Sequence, residues 1–419
     1  MAFLASLGIP ERLHTFEPSH LAAQQRLDDI DSAAYARSRN ALDGAVTGLS
    51  PYFTHGLISL PVAARTIHAG HPLGFDDKLV FEFGWREFFH HVWSHQKNPD
   101  AILQDMHGTA TWHGKYADTL PLDIRRGCTG VAAIDNAVRI LYATGYLHNH
   151  ARMWLASYVV HVRKVHWRAG ADWLYGHLLD GDLPSNHLSW QWVAGTFSSK
   201  PYLFNADNVL KYAPESARSA WDCSGTLIDQ SYEAMDNMAR LQASAGPEPG
   251  RHDDIDEPPL LSHFQIENKA LAQLIRTQEA LKNIAHKTLE LVHPWSLAQP
   301  SATGLQAPSP SDAIRLGIIH LPAHADWPWS ERRWQFVLQA MAAVTDGMWI
   351  GDLADLDISA AHSVTTQATL FPGYRQALSR IATFAPAPHL LPSPSMACRS
   401  FSKFYERARR DVGQFGDLL

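Results

Sequence analysis

Between residues 144 and 205 the chain sets polar groups into an otherwise apolar, aromatic stretch, in the runs TGYLHNHARMW, DGDLPSNHLSWQW and GTFSSKPYLFN. Asn149, Arg152, Asp180, Asp182 and Asn186 are the groups there with chemistry to offer. A buried charge is costly unless paired, so Arg152 is expected to meet Asp180 or Asp182. Alone, the Asp180-Gly181-Asp182 run is a common turn, and Asp and Asn often only cap helices and close loops. The constellation as a whole reads differently, because apolar walls with a few convergent polar groups make a ligand pocket.

A second cluster is Glu82, Trp85, Arg86 and Glu87. On a helix Glu82 shares a face with Trp85 at i+3 and with Arg86 at i+4. An aromatic ring beside a carboxylate can stack a flat ligand and bond its edge, although from this segment alone an intrahelical Glu82–Arg86 pair is the plainer account. The third is Thr47, Gly48, Leu49 and Ser50 before Pro51, which reads as a helix start. Free backbone N–H groups at such a start hold phosphate, or simply take an N-cap. No GxGxxG or Walker A run is present, so the usual nucleotide signatures are missing. His91 and His95 stand at i, i+4, and His148 and His150 lie close together, but no HExxH pattern completes them and no metal site is expected. Ser-His-Asp catalysis lacks a nucleophile elbow.

These groups need helices to position them. Residues 15–215 look like one helical block. Apolar residues at Ala151, Trp154, Leu155, Tyr158, Val159 and Val162 fall on one helical face, and Val131, Ile134, Val138 and Leu141 repeat the stripe one helix earlier. Residues 78–96 are apolar almost all round, as a helix in the middle of a domain should be. Turn signals separate the segments at 68–74, 127–130 and 180–186. The Pro-, Gly- and acid-rich stretch 243–260 predicts a solvated loop or linker. A helix is expected across 261–291, on Leu271, Leu274, Ile275, Leu281 and Ile284, followed by a second Pro/Ser-rich stretch at 298–312. After it the pattern changes: Ile314–Leu321 suggests a buried strand, 330–345 a helix and Met348–Leu353 a second strand, together a small α/β unit. No internal repeat is detected.

The length of 419 residues predicts two or three domains. Hydrophobic residues at 46% suffice for large cores, and the chain is rich in Trp (14) and His (24). A net charge of −7 excludes a protein that grips nucleic acid through overall basicity, while leaving a local basic groove open. Three scattered cysteines (Cys128, Cys223, Cys398) make neither a disulfide scaffold nor a thiolate metal site. The N-terminal run lacks a basic region and a cleavage site, and no apolar stretch approaches the ~20 residues of a membrane helix, so a cytoplasmic protein is expected.

Read together, these stretches resemble the flavin-binding helical domain of the photolyase/cryptochrome family, in order from about Tyr35 to Tyr212. The most specific pieces are WREF (85–88), TGYLHNHARM (144–153) and DGDLPSNHLSWQW (180–192). The resemblance implies a mainly α fold, with an all-helical FAD-binding domain over 1–215, a linker and helical connection over 216–310, and a small α/β-like domain over 311–419. It implies non-covalent FAD as cofactor. Tyr35, Thr47, Leu49 and Ser50 fall where the family holds the FAD phosphates, and Arg86, Asn149, Arg152, Asp180, Asp182 and Asn186 where it surrounds flavin and adenine. The family pattern Thr-Ser-x-Leu-Ser is here Val46-Thr47-Gly48-Leu49-Ser50, one hydroxyl short. Asn186 takes the place of the asparagine that photolyases set against flavin N5, where plant and insect cryptochromes tend to use Asp or Cys.

Glu82 and Trp85 match the positions that contact a pyrimidine dimer, and Asn149 and Met153 follow the cyclobutane-dimer pattern; His148 and His150 are offset from the histidines of the (6-4) enzymes. Trp190 and Trp167 match two members of the tryptophan chain that reduces the flavin, while Trp112 and Tyr116 both lie near the place of the third. The implied partner is damaged DNA, as single strands or with the dimer flipped out. The departures are as informative. Only some 30 residues precede Tyr35, so neither the family's N-terminal α/β antenna domain nor an antenna chromophore is expected. The α/β-like segment at 310–419 would then be a displaced remnant, an idea that requires parallel strands there. The cysteine count argues against an iron–sulfur cluster, and 198–208 departs from the family sequence. The first expectation is a photolyase for cyclobutane dimers, the second a cryptochrome-like light sensor with 216–419 as its output region, the third a flavoprotein that has lost its photochemistry. Nothing in the sequence fixes the oligomeric state.

Overall fold

The computed structural model describes residues 2–249, 252–263, 281–282, 284–299 and 313–419. The chain divides into two compact units, each discontinuous in sequence: Met1–Phe16, Ala33–Gly48 and Asp100–Pro259 form the first, and Glu17–Ser32, Leu49–Pro99 and Leu260–Leu419 the second. The expected boundaries at 215 and 310 do not coincide with this division. The helices used below are α1 (Lys78–Ser94), α2 (Ala132–Thr144), α3 (Asn149–Ser157), α4 (Trp167–His177), α5 (Leu183–Ala194), α6 (Glu331–Ala342) and α7 (Phe401–Arg409).

The first unit is helical and built on the apolar stripes. Val131, Ile134 and Val138 are fully buried and Leu141 nearly so, which makes α2 a core helix. Helix α3 buries Ala151, Trp154 and Leu155, but the stripe does not continue as α-helix. Residues Tyr158–Val162 form a π-helical turn, and all five side chains are buried. The wider turn interrupts the α-helix, yet Tyr158, Val159 and Val162 are buried as the pattern predicts, together with Val160 and His161. The stretch expected to be a solvated loop is instead pinned to this unit. The Glu257 carboxylate accepts from Arg125 at 2.7 Å and from Trp173 at 2.9 Å, Ala245 N–H donates to Val162, and Ile255 N–H donates to Arg126. Its acidic composition reads as solvation in the sequence and serves as pairing in the structure.

The second unit joins α1 to the C-terminal part of the chain. Its five-stranded sheet is parallel throughout, with strands β1 (Thr288–Val292), β2 (Ile314–His320), β3 (Gly347–Gly351), β4 (Ser363–Gln367) and β5 (Thr383–Ala385) in the order β3-β2-β1-β4-β5; a separate antiparallel pair joins Leu260–Leu261 to Trp329–Ser330. Parallel strands in 313–419 meet the condition placed on a displaced α/β segment. Strand β2 and helix α6 fall where the sequence put them, and β3 begins one residue before its expected start. Strand β1 corrects the helix expected over 261–291: Thr288–Val292 pairs with both β2 and β4, Leu289 opposite Ile314 and Val364. Its TLELV run is only five residues long, alternating half-buried Thr288 and Glu290 with buried Leu289 and Leu291, and pairing on both edges makes it a strand. Leu271, Leu274 and Ile275, like nearly all of 298–312, lie outside the described residues.

In an open parallel sheet ligands bind where the strand order reverses, here between the carboxyl ends of β1 and β4. The chain leaving those two strands closes that point with its own rings. His293 Nε2 meets the Gln367 carbonyl at 3.0 Å, and Trp295 stacks on Phe371 with centroids 4.2 Å apart.

Candidate functional site

The expected site residues fall in both units, and each group is described within its own. In the first unit the turn 178–182 and helices α3, α4 and α5 hold the cluster. Arg152, in the first turn of α3, makes a two-pronged ion pair with Asp180 at 2.7 and 3.0 Å, while its Nε donates to the Leu147 carbonyl at 2.7 Å. The Asp180 side chain is only 3% exposed, so the pair supplies the counter-charge its burial requires. Of the two aspartates the sequence allowed as partners for Arg152, Asp180 makes the ion pair. Asp182 caps α5, its carboxylate accepting from the Ser185 N–H at 3.3 Å and from the Ser185 hydroxyl. An anion there also matches the positive end of the helix.

Asn186 lies one turn into α5, half-buried, and its Nδ2 donates to the Ala171 carbonyl of α4 at 2.8 Å. That bond sets the amide nitrogen on the Ala171 carbonyl and leaves the amide oxygen as the side chain's acceptor. Asn149 opens α3 at the surface and its Nδ2 reaches the Met153 sulfur at 3.6 Å, one turn on. His148 is the N-cap of α3, its ring accepting from the His150 N–H at 3.1 Å. Burial pushes the His148 pKa down to about 3 and the His150 pKa down to about 4, so both are neutral near pH 7. Tyr35 and Thr47 are both half-buried in this unit.

The tryptophans share this unit. Trp190 on α5 and Trp167 on α4 are each 2% exposed, and Trp112 is half-buried. A Cβ on Gly170 would lie 2.4 Å from the Trp190 ring, so only glycine lets α4 and α5 pack with that ring between them. Trp112 and Tyr116 form an edge-on pair at 5.3 Å, and the Trp112 N–H donates to the Tyr116 hydroxyl.

In the second unit Leu49 is the N-cap of a five-residue helix, Ser50–Thr54, with Pro51 in its first turn. Glu82, Trp85 and Arg86 lie on α1, at the spacing that gives them one face. Trp85 stacks on Phe401 of α7 with centroids 4.2 Å apart and planes 8° from parallel. The approach needs Gly84, whose Cβ would meet the Tyr405 ring at 2.9 Å. Glu87 accepts from the N–H groups of Leu390 and Leu391 at 3.0 and 3.3 Å, and His91 accepts from Cys398 N–H at 3.1 Å. Burial, with His95 and Arg407 nearby, holds the His91 pKa down at about 4, consistent with this neutral acceptor role. Among the described residues no group of His, Cys, Asp or Glu is placed to hold a metal ion, and no helix is long and apolar enough to cross a membrane.

Phe401, Glu257 and Asp105, which accepts from Trp167, were missed by the sequence reading. No spacing rule reaches them, since each acts across a tertiary contact. Toward the FAD that the resemblance implies, the donor set of the first unit fits: a guanidinium neutralised by one carboxylate, a second carboxylate on a helix start, and an amide oxygen, the mix that a flat ring edged with N–H and C=O groups requires.

Residues 79–248 match the model of the FAD binding domain of DNA photolyase. A deoxyribodipyrimidine photo-lyase of Streptomyces griseus is 35% identical over 167 residues, 39% of this chain and 35% of that protein. One from Synechococcus is 30% identical over 226 residues, 51% of this chain and 45% of that protein. A bacterial class III photolyase from Agrobacterium tumefaciens, known by crystal structure, aligns at 24% identity over 53% of this chain and 54% of that one, with a TM-score of 0.43. The matches span about half the length of these relatives or less.

Proposed function

We propose that the chain is a blue-light-driven lyase that splits cyclobutane pyrimidine dimers in DNA, a reading supported by the match of residues 79–248 to the model of the FAD binding domain of DNA photolyase. The observation that carries the reading is the Asn186 amide, whose nitrogen is held by the Ala171 carbonyl so that its neutral oxygen remains as the acceptor. Such an oxygen accepts from a flavin N–H without adding charge, which suits a cofactor that must give up an electron. When bound and reduced, FAD supplies a light-excited one-electron donor.

The chain's own residues do the rest. Arg152 and Asp180 hold each other as a neutral pair and Asp182 caps α5, so the polar edge is rigid before any ligand arrives. With them, Asn149 and Asn186 surround the rings of the cofactor, and Tyr35 and Thr47 hold its phosphates. Asn149 and Met153 line the approach of the dimer; in the second unit Glu82 and Trp85, whose ring has one face stacked on Phe401, are the residues that the resemblance assigns to contact it. Trp190 and Trp167 pass electrons inward to restore the reduced state. With a net charge of −7, single strands or an already flipped-out dimer are the favoured substrate, because unstacking from a duplex costs a few kcal/mol that backbone contacts must repay. The protein works in the cytoplasm.

The test is blue-light repair of a thymine cyclobutane dimer by chemically reduced protein, on matched single- and double-stranded oligonucleotides. Splitting only in the light, faster on the single strand, is the expected result. An intact dimer beside FAD-loaded protein overturns it in favour of the second reading, a light sensor, which the acidic charge favours.

A further inference from the structure

The Trp167 ring is 2% exposed, yet its Nε1–H donates to the Asp105 carboxylate at 2.7 Å, and Asp105 is itself exposed to solvent. A buried indole is thus joined to water through one short, charge-assisted bond. From Trp167 the rings run on through His166 at 5.5 Å, Tyr116 at a further 6.3 Å and Trp112 at 5.3 Å. At the far end the Lys164 ammonium stands 5.5 Å from the Trp112 ring centroid. It is locked there by the carbonyls of His161, Met238 and Ala239 at 2.7, 2.9 and 2.6 Å. Arg168, next to Trp167 in the chain, is paired with Asp172, whose carboxylate also meets His187 at 2.8 Å. The two ends of the ring path therefore sit in opposite fields, an anion bonded to Trp167 and a cation over Trp112. Removing an electron from a ring is helped by the first and opposed by the second.

We propose that Trp167 is the terminal electron donor of the inward path and that Asp105 takes its indole proton, so that the path ends there and not at Trp112 or Tyr116. This rests on the reading that the tryptophans reduce the cofactor. One electron leaves Trp167 for the light-excited oxidised flavin, and the Nε1 proton moves to the Asp105 carboxylate. A neutral indolyl radical and a neutral carboxylic acid remain. Return of the electron now also requires return of the proton, which slows the wasteful reverse step. A thiol in solution restores the indole by giving one hydrogen atom and becoming a thiyl radical, and the acid releases its proton to water.

Flash photolysis of the FAD-loaded full chain without DNA tests this in wild type, Asp105→Asn, Asp105→Glu and Trp112→Phe. Wild type should show the neutral indolyl radical. Asp105→Asn should retain the protonated radical cation and recover oxidised flavin about tenfold faster, the scale of one lost charge-assisted hydrogen bond. Asp105→Glu should restore the neutral radical, and Trp112→Phe should keep the radical at Trp167. In the flavin-free protein the Trp167 indole N–H resonance should move upfield in Asp105→Asn, a readout of the hydrogen bond itself. A neutral radical that persists in Asp105→Asn, or that disappears in Trp112→Phe, overturns the proposal. So does an absence of light-driven reduction in wild type. Because no DNA is present, failure of dimer repair would sink the lyase reading and leave this result standing. Repair by pre-reduced protein would conversely survive failure of the Asp105 proposal.

Discussion

Arg152 meets Asp180 across 28 residues and Asn186 meets Ala171 across 15, whereas Glu87 meets Leu390 across 303. The first cluster is made by neighbouring helices and the turn that joins two of them. The second is made when a helix near the start of the chain receives its packing partner from the end. The Trp85–Phe401 stack belongs with the second kind. Local assembly leaves a recognisable run of residues, because every partner sits in one stretch. Distant assembly leaves a recognisable half, α1, and a partner segment with no pattern of its own. The C-terminal part of the chain is therefore structural support for the helix that carries Glu82, Trp85 and Arg86, whatever else it does.

The broadest way to break that contrast is acid. Burial holds His148 at about 3 in the first unit, and His293 and His324 at about 4 and about 3 in the second, against an ordinary 6.5. Each folded-state pKa lies below its unfolded value, so this stability is fully present above pH 6.5 and is lost as pH falls toward 4. Each histidine contributes about 1.4 kcal/mol per pH unit in that window. Thermal melts between pH 7 and 4 should show both units weakening together; a unit that held its melting temperature to pH 4 would show that its histidines are less buried than described.

Single substitutions sharpen the contrast. Arg152→Ala strands a carboxylate that is 3% exposed and should cost about 4 kcal/mol in chemical denaturation, with weaker FAD retention. Phe401→Ala should cost about 3 kcal/mol and raise amide exchange in α1 and 386–409, while leaving exchange in α3–α5 at its wild-type level. Faster exchange in α3–α5 would mean that the two clusters are energetically coupled. Gly170→Ala drives a Cβ into the Trp190 ring and should cost about 2 kcal/mol, with a changed near-UV circular dichroism signal from the displaced indole. An unchanged spectrum would mean that the ring has room to shift.

Much of this was legible in the residues. Stripes of period 3.6 gave α2 and the start of α3, the Ile-rich run gave β2, and the need to pair a buried guanidinium anticipated Arg152 with an aspartate. The misses share one cause. The π-helical turn at Tyr158–Val162, the strand at Thr288–Val292 and the pinned acidic stretch around Glu257 were each decided by what surrounds them on several sides. Periodicity reports which face of a segment is buried and says nothing of the partners that a short or acidic segment meets across a tertiary contact.

The sequence alone therefore determined the helix cluster of 144–194, its polar residues and the family they resemble, because partners a turn or a helix apart are encoded as spacing. Tertiary structure alone decided that α1 packs against the chain's C-terminal end, that Trp85 stacks on Phe401, and that Asp105 bonds the buried indole of Trp167. Those contacts join segments whose local patterns are independent, and only the burial of both surfaces at once selects the pairing.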